Sequence, residues 1–214
     1  MPQAMTFRHL AFVATACIAV GCTSAGHHTG APKPDRATTK GLSYRARVDR
    51  RYIEPKIKNG VLIMPFFDHS FSARCYDTLR CRVLYDNTYV VDDDKPSGPF
   101  TEALRNNLRG GWGSLDFPSV AKVTWTSKDG VSHDETIDLG RIFRSKLVRY
   151  AADLDVSDVN LSIPPTSPDI ILVVEDRSIS IYMKAHISLN HPTDPGNKLT
   201  NFKEDAVVAY TRTF

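Results

Sequence analysis

His133-Asp134-Glu135 sets an imidazole beside two carboxylates, the side chains of general acid–base catalysis. On a strand, neighbouring residues point to opposite faces, so only His133 and Glu135 would share one and cooperate. A second acidic group, Asp92-Asp93-Asp94, invites a calcium reading, but the spaced ligands and terminal Glu of an EF-hand loop are missing. It reads instead as a solvated turn ahead of a helix amino terminus, where acids suit the dipole. His186 falls on the polar side of an alternating segment, and His27-His28 lies in a polar stretch with at most incidental metal affinity. Trp112, in Gly110-Gly111-Trp112-Gly113, reads as part of a helix stop with its ring folded into the core. The chain has no Gly-x-Ser-x-Gly elbow, His-Glu-x-x-His pair, Gly-x-Gly-x-x-Gly turn or phosphate loop. No catalytic residue, metal site or cofactor is assigned.

Thiol chemistry is the sharper signal. Leu10 to Val20 is an apolar run preceded by Arg8, the length and flank of a secretory signal rather than of a membrane-spanning helix. Ala19-Val20-Gly21-Cys22 follows, then a polar stretch. This resembles the lipobox of bacterial lipoproteins. The resemblance implies that residues 1–21 are a signal peptide and that the Cys22 thiol receives a diacylglycerol. The new amino terminus would then be acylated, as with palmitate. Thr23 in the second mature position favours the outer membrane, with the domain facing the periplasm. Several acyl chains, at about 0.8 kcal/mol per buried methylene, make a durable anchor in the bilayer. With Cys17 removed in the leader and Cys22 lipidated, the remaining Cys75 and Cys81 suggest a disulfide in an oxidising compartment. Their spacing is not the Cys-x-x-Cys redox spacing, and nearby His69 does not complete a zinc set.

The balance of 42% hydrophobic and 24% charged residues belongs to a water-soluble globular chain. A formal charge of +3 is too even to imply nucleic-acid binding. Its distribution is uneven. Residues 22–58 carry nine Lys or Arg against three acids, a net of +6, and residues 59–214 sum to −4. Thr23 to Gly41 lacks large apolar residues, so residues 22–58 read as a flexible basic tether. That tether is either solvated or laid against anionic headgroups or another polyanion.

Residues 59–214 read as a single α+β domain. Val61 to Phe67 is an unbroken apolar run of strand length. Residues 68–98, holding the Cys pair, a strand-like Arg82 to Asp86 and the patch Tyr89 to Val91, read as an inserted, stapled excursion. Phe100, Ala103, Leu104 and Leu108 lie at helical spacing between Gly98-Pro99 and Gly110-Gly111. Ala121, Val123 and Trp125 alternate with polar residues, and Lys128-Asp129-Gly130 signals a hairpin. Asp138 is placed to cap a second helix whose stripe runs Leu139, Ile142, Phe143, Leu147, Tyr150, Ala151 and Leu154. Ile170 to Val174 reads as a buried strand. In Ser178 to Leu189, Ile179, Ile181, Met183, Ala185, Ile187 and Leu189 form one face. Ala206 to Phe214 returns as the last strand. The expected fold is a mixed, largely antiparallel sheet with two helices packed on one face.

Leu62-Ile63-Met64-Pro65-Phe66, the Phe100–Gly110 helix, Pro168 to Val173 and the closing hairpin together resemble the small α/β domain of the TolB amino-terminal region. Curli-secretion-type lipoproteins and lipoprotein activators of cell-wall synthases share that domain. The resemblance spans residues 60–214 and departs at 68–98. The lipobox, the tether and the lack of a catalytic set point to a non-enzymatic binding or envelope-assembly module, partnered by an envelope protein or the cell wall. The polar face Ser178 to Ser188 is the expected contact surface. Two other classes fit the residues: an exported hydrolase using Glu135, Asp134 or Asp92 to Asp94, and a soluble periplasmic immunity or inhibitor protein.

Overall fold

The computed structural model describes residues 54–111, 116, 119–163 and 167–214. The leader, Cys22, the tether up to residue 53 and Trp112 lie outside them. In chain order the elements are β1 (Lys56–Lys58), β2 (Val61–Ile63), β3 (Ser70–Tyr76), β4 (Thr78–Tyr85), β5 (Thr88–Asp93), α1 (Glu102–Arg105), β6 (Val120–Ser127) and β7 (Ser132–Asp138). Then come α2 (Leu139–Ile142), β8 (Asp169–Glu175), β9 (Ser178–Lys184), β10 (Ile187–Ser188), β11 (Phe202–Lys203) and β12 (Ala206–Thr213). Strands dominate, and both α-helices are single turns of four residues.

Two four-stranded sheets carry the fold. The first has the order β12-β9-β8-β3, antiparallel except for the parallel β3–β8 pair. The second, β5-β4-β6-β7, is antiparallel throughout. Alternation gives each an apolar inner face, and the two faces share one core. Phe71, Ala73, Ile170, Leu172, Ile179, Ile181 and Met183 come from the first sheet, and Val83, Tyr85, Val123, Trp125 and Ile137 from the second. Burying each large side chain stabilises by about 1.5–3 kcal/mol before chain entropy is set against it. The sheets are stitched at their edges and ends. Arg212 of β12 reaches Glu135 of β7 at 3.5 Å. Trp125 Nε1 donates to the carbonyl of Asp176 in the β8–β9 turn at 2.7 Å, and Phe214 packs edge-on against Trp125.

Local signals for strands hold well. The Lys128-Asp129-Gly130 turn joins β6 to β7, with Gly130 at φ 84°. All six apolar residues of Ile179 to Leu189 are buried. β8 is covered on both faces, as its unbroken apolar run requires. The outer cover consists of Phe100 and Leu108, which pack on Ile171, Val173 and Tyr182. Phe100 also stacks on Tyr76 at 4.6 Å, and Arg105 lies over the Phe100 ring while donating to the Tyr182 hydroxyl at 2.8 Å.

The helices are where the expectation changes. Thr101 caps α1 and Asp138 caps α2, its carboxylate accepting from Arg141 N at 2.8 Å. Neither helix continues. After Phe143 the chain turns through Lys146, at φ 55°. It then pairs with the segment after β2, Phe66 N donating to Lys146 O and Val148 N to Met64 O. The stripe from Leu139 to Leu154 is therefore split: Leu139 and Ile142 lie in α2, and Leu147 to Leu154 follow outside any α-helix. Two helices do not pack together on one face: the inner face of the first sheet meets the second sheet, and the strap 98–111 covers the outer face.

Residues 68–98 supply an edge of the first sheet and half of the second. A turn at Asp77, at φ 55°, carries β3 of one sheet into β4 of the other. The Cys75–Cys81 disulfide spans that turn and so joins the two sheets. Reduction is expected to lower stability by about 2 kcal/mol, the chain-entropy value for so short a loop. Urea denaturation with and without reductant measures it, and coincident curves would remove the staple from the account.

Candidate functional site

β3 and β5 are edge strands of different sheets that run close together. Between them opens a cleft of about 450 Å³. One wall is Phe71, Ser72 and Arg74 of β3; another is Tyr85, Asp86, Thr88 and Val90; Gly110 and Gly111 complete it.

Local sequence shapes each wall. Asp86 and Asn87, at φ 47° and 58°, close the β4–β5 hairpin in the left-handed conformation that Asp and Asn tolerate best among side-chain-bearing residues. The β4–β5 register passes from Val83–Val91 to Leu84–Tyr89, which bulges Val90 out of the ladder toward solvent. The Tyr85 ring stacks on Phe71 with centroids 4.0 Å apart. Its hydroxyl is already engaged, accepting from Ser119 N at 3.3 Å and lying 2.8 Å from His69 Nε2. The hydroxyl can accept from Ser119 and share either its own proton or that of Nε2 with the imidazole, according to the tautomer. His69 is fully buried, and its Nδ1 makes no hydrogen bond. The Asp116 backbone nearby favours the protonated ring. Burial pushes the His69 pKa down to about 4, against the opposing charges of Asp68 and Asp116. Burial likewise pushes the Tyr85 phenol up.

The glycine side of the cleft is held by Asp169. Its carboxylate accepts from Gly110 N at 2.9 Å and from Ser70 Oγ at 2.5 Å, and Ser72 Oγ donates to Arg109 O. No side chain fits here: a Cβ on Gly110 would lie 2.1 Å from Asp169 Oδ1, and one on Gly111 2.0 Å from the Phe71 carbonyl oxygen. Arg74 is exposed, and its guanidinium donates to the Ala73 carbonyl at 2.8 Å.

A smaller hollow of about 320 Å³ lies against the second sheet, beside Arg80, Arg82, Asp94 and Thr126. Its charges are matched within the protein: Arg82 pairs with Asp92 at 2.6 Å and Asp94 at 3.6 Å, and Arg80 with Asp94 at 3.8 Å. The Asp92 to Asp94 run is therefore the end of β5 in a charge ladder, not a turn before a helix.

Carboxylates proposed for acid–base work do not converge. Asp92, Arg82, Thr124 and Asp134 form one row across the sheet, which separates the two acids by three strand spacings, about 14 Å. A paired acid and base on a glycosidic bond stands about 5–9.5 Å apart. Glu135 faces away from Asp134 and pairs with Arg212. His133 stacks on Trp125 at 4.4 Å, its Nε2 lying 3.2 Å from Ser127 Oγ. His186 stacks on Phe202. Among the described residues no cluster of three His, Cys, Asp or Glu is arranged to hold a metal. On the polar face expected as a contact surface, Ser178 and Ser180 bond Thr213 and Thr211 of β12 side by side at exposed positions, and Tyr182 lies beneath the strap.

The residues of the cleft escape a sequence reading. His69, Phe71, Arg74 and Tyr85 belong to no motif, and the one usable signal was Asp86-Asn87 as a tight turn. No family model matches the chain, and neither does any curated protein or solved structure.

Proposed function

We propose that this chain is a bacterial outer-membrane lipoprotein, anchored through acylated Cys22 and facing the periplasm. Its β-rich domain is a non-enzymatic binding module for an envelope protein or cell-wall polymer. Ala19-Val20-Gly21-Cys22 and the basic tether support the anchor. The binding half rests on one observation: the cleft between β3 and β5, lined by apolar and polar side chains over a buried polar backing. Such a preformed concavity is the usual form of a recognition site. The resemblance of residues 60–214 to TolB-type envelope domains belongs to the same reading.

Two measurements test it. Cys22→Ser is expected to move the protein from the membrane to the soluble fraction on cell fractionation. A photo-crosslinking residue at position 90, in the cleft, is expected to capture one envelope component that the same residue at position 134 does not. Unchanged partitioning of the serine variant defeats the anchor, and identical cross-links from both positions defeat the cleft as the binding site.

A further inference from the structure

We propose that the cleft between β3 and β5 binds a small apolar monocarboxylate, Arg74 holding the carboxylate and Phe71, Tyr85 and Val90 the hydrocarbon body. The proposal deepens the binding-module reading and rests on it.

The charge pattern carries the argument. Arg74 makes no ion pair among the described residues, and its exposed guanidinium is held in place by the Ala73 carbonyl at 2.8 Å. A guanidinium has five N–H donors in a fixed fork, so most remain free for a planar, two-oxygen acceptor. Carboxylates meet that geometry with two parallel hydrogen bonds.

The rest of the lining sets Phe71, Tyr85 and Val90 beside the Ser72 and Thr88 hydroxyls and the Asp86 carboxylate. Phe71 and Tyr85 line it as a stacked pair only 5% and 4% exposed, and the Tyr85 hydroxyl is engaged by His69 and Ser119. Val90, released from the ladder by the bulge, adds an aliphatic surface that is 36% exposed. A volume of about 450 Å³ suits a small organic molecule. Asp86 lines the same cleft and makes no ion pair among the described residues, so its carboxylate repels a second negative charge on the ligand. A dianion such as phosphate is therefore disfavoured, and a single carboxylate on an apolar body fits.

Isothermal titration calorimetry of the intact purified protein at neutral pH tests this with 3-phenylpropanoate, 3-phenylpropanamide and inorganic phosphate, each to about 10 mM, the millimolar end of measurable affinity. The acid is expected to bind at least about tenfold more tightly than the amide, from the loss of charge-assisted hydrogen bonds, and phosphate not to bind. Arg74→Gln is expected to bring the acid down to the amide's affinity while leaving the amide unchanged, which also reports a folded cleft. Val90→Trp, which fills the cleft, is expected to abolish both. No binding of the acid, equal binding of acid and amide, or an Arg74→Gln variant that holds the acid as before would overturn the assignment. If the acid fails while the position-90 cross-link persists, only the ligand class falls. If the acid binds while the cross-link and membrane partitioning fail, the envelope-module reading falls and the pocket remains.

Discussion

Lowering the pH from 7 to 4 is expected to remove about 3 kcal/mol of folding stability through His69 alone. Its pKa is about 4 in the fold against 6.5 for an unperturbed imidazole. Across that interval the unfolded chain binds a proton that the native state refuses, so stability falls as pH falls. The contribution is fully present above about 6.5 and is lost as pH drops through the window to about 4. The cause is burial: a cationic ring would sit fully enclosed, its Nε2 2.8 Å from the Tyr85 hydroxyl. His69→Gln can keep an acceptor for Tyr85 and takes up no proton near neutrality. Urea titrations followed by tryptophan fluorescence between pH 7 and 4 should show a steep loss for the parent and a shallower one for the variant. Parallel slopes would show that His69 is not held neutral. Asp153 and Asp155, both exposed and held below the usual carboxylate range by hydrogen bonds from Lys203 and Ser157, act at more acidic pH in both proteins.

Gly111→Ala is expected to be comparably damaging, about 3 kcal/mol, at the upper end of overpacking costs. The methyl would meet the carbonyl of Phe71 at 2.0 Å, and backbone in a paired edge strand cannot swing aside as a side chain does. Either β3 or the strap must shift, and with them the glycine wall of the cleft. Gly98→Ala is the matched control. A Cβ there meets nothing within 4 Å, so that variant should hold or slightly raise stability by reducing unfolded-chain freedom. Thermal or urea unfolding of the pair measures the difference, and equal midpoints would show that the strap does not press on β3.

The strands were largely legible because period-two alternation reports local geometry. Ala121 to Trp125 and Ile179 to Leu189 bury the residues their pattern marks. Helices failed for a physical reason. Residues 139 to 154 hold apolar side chains at helical spacing, yet Val148 and Phe66 find better backbone partners across the core. Propensity and spacing are weak against a tertiary hydrogen bond that also buries Leu139, Phe143 and Val148. The site was the least legible part. Phe71, Arg74, Tyr85 and Val90 come from strands that belong to different sheets, and only the sheet order brings their edges side by side. The value of Arg74 lies in its having no ion pair among the described residues, a property of assembled surfaces rather than of spacing.

The parallel register of β3 with β8, which sets Ser70 beside Asp169 and Tyr76 beside Glu175, constrains the order of assembly. The two hairpins of the second sheet join close neighbours in the chain and can form within microseconds. The β3–β8 pair of the first sheet must wait for residues nearly a hundred positions apart to find one another, a loop-closure penalty paid before the pairing rewards it. Until that closure the β3 edge and the Ile170–Val174 run stay exposed and adhesive. A nascent molecule held in that half-built condition is the one a chaperone would have to shield.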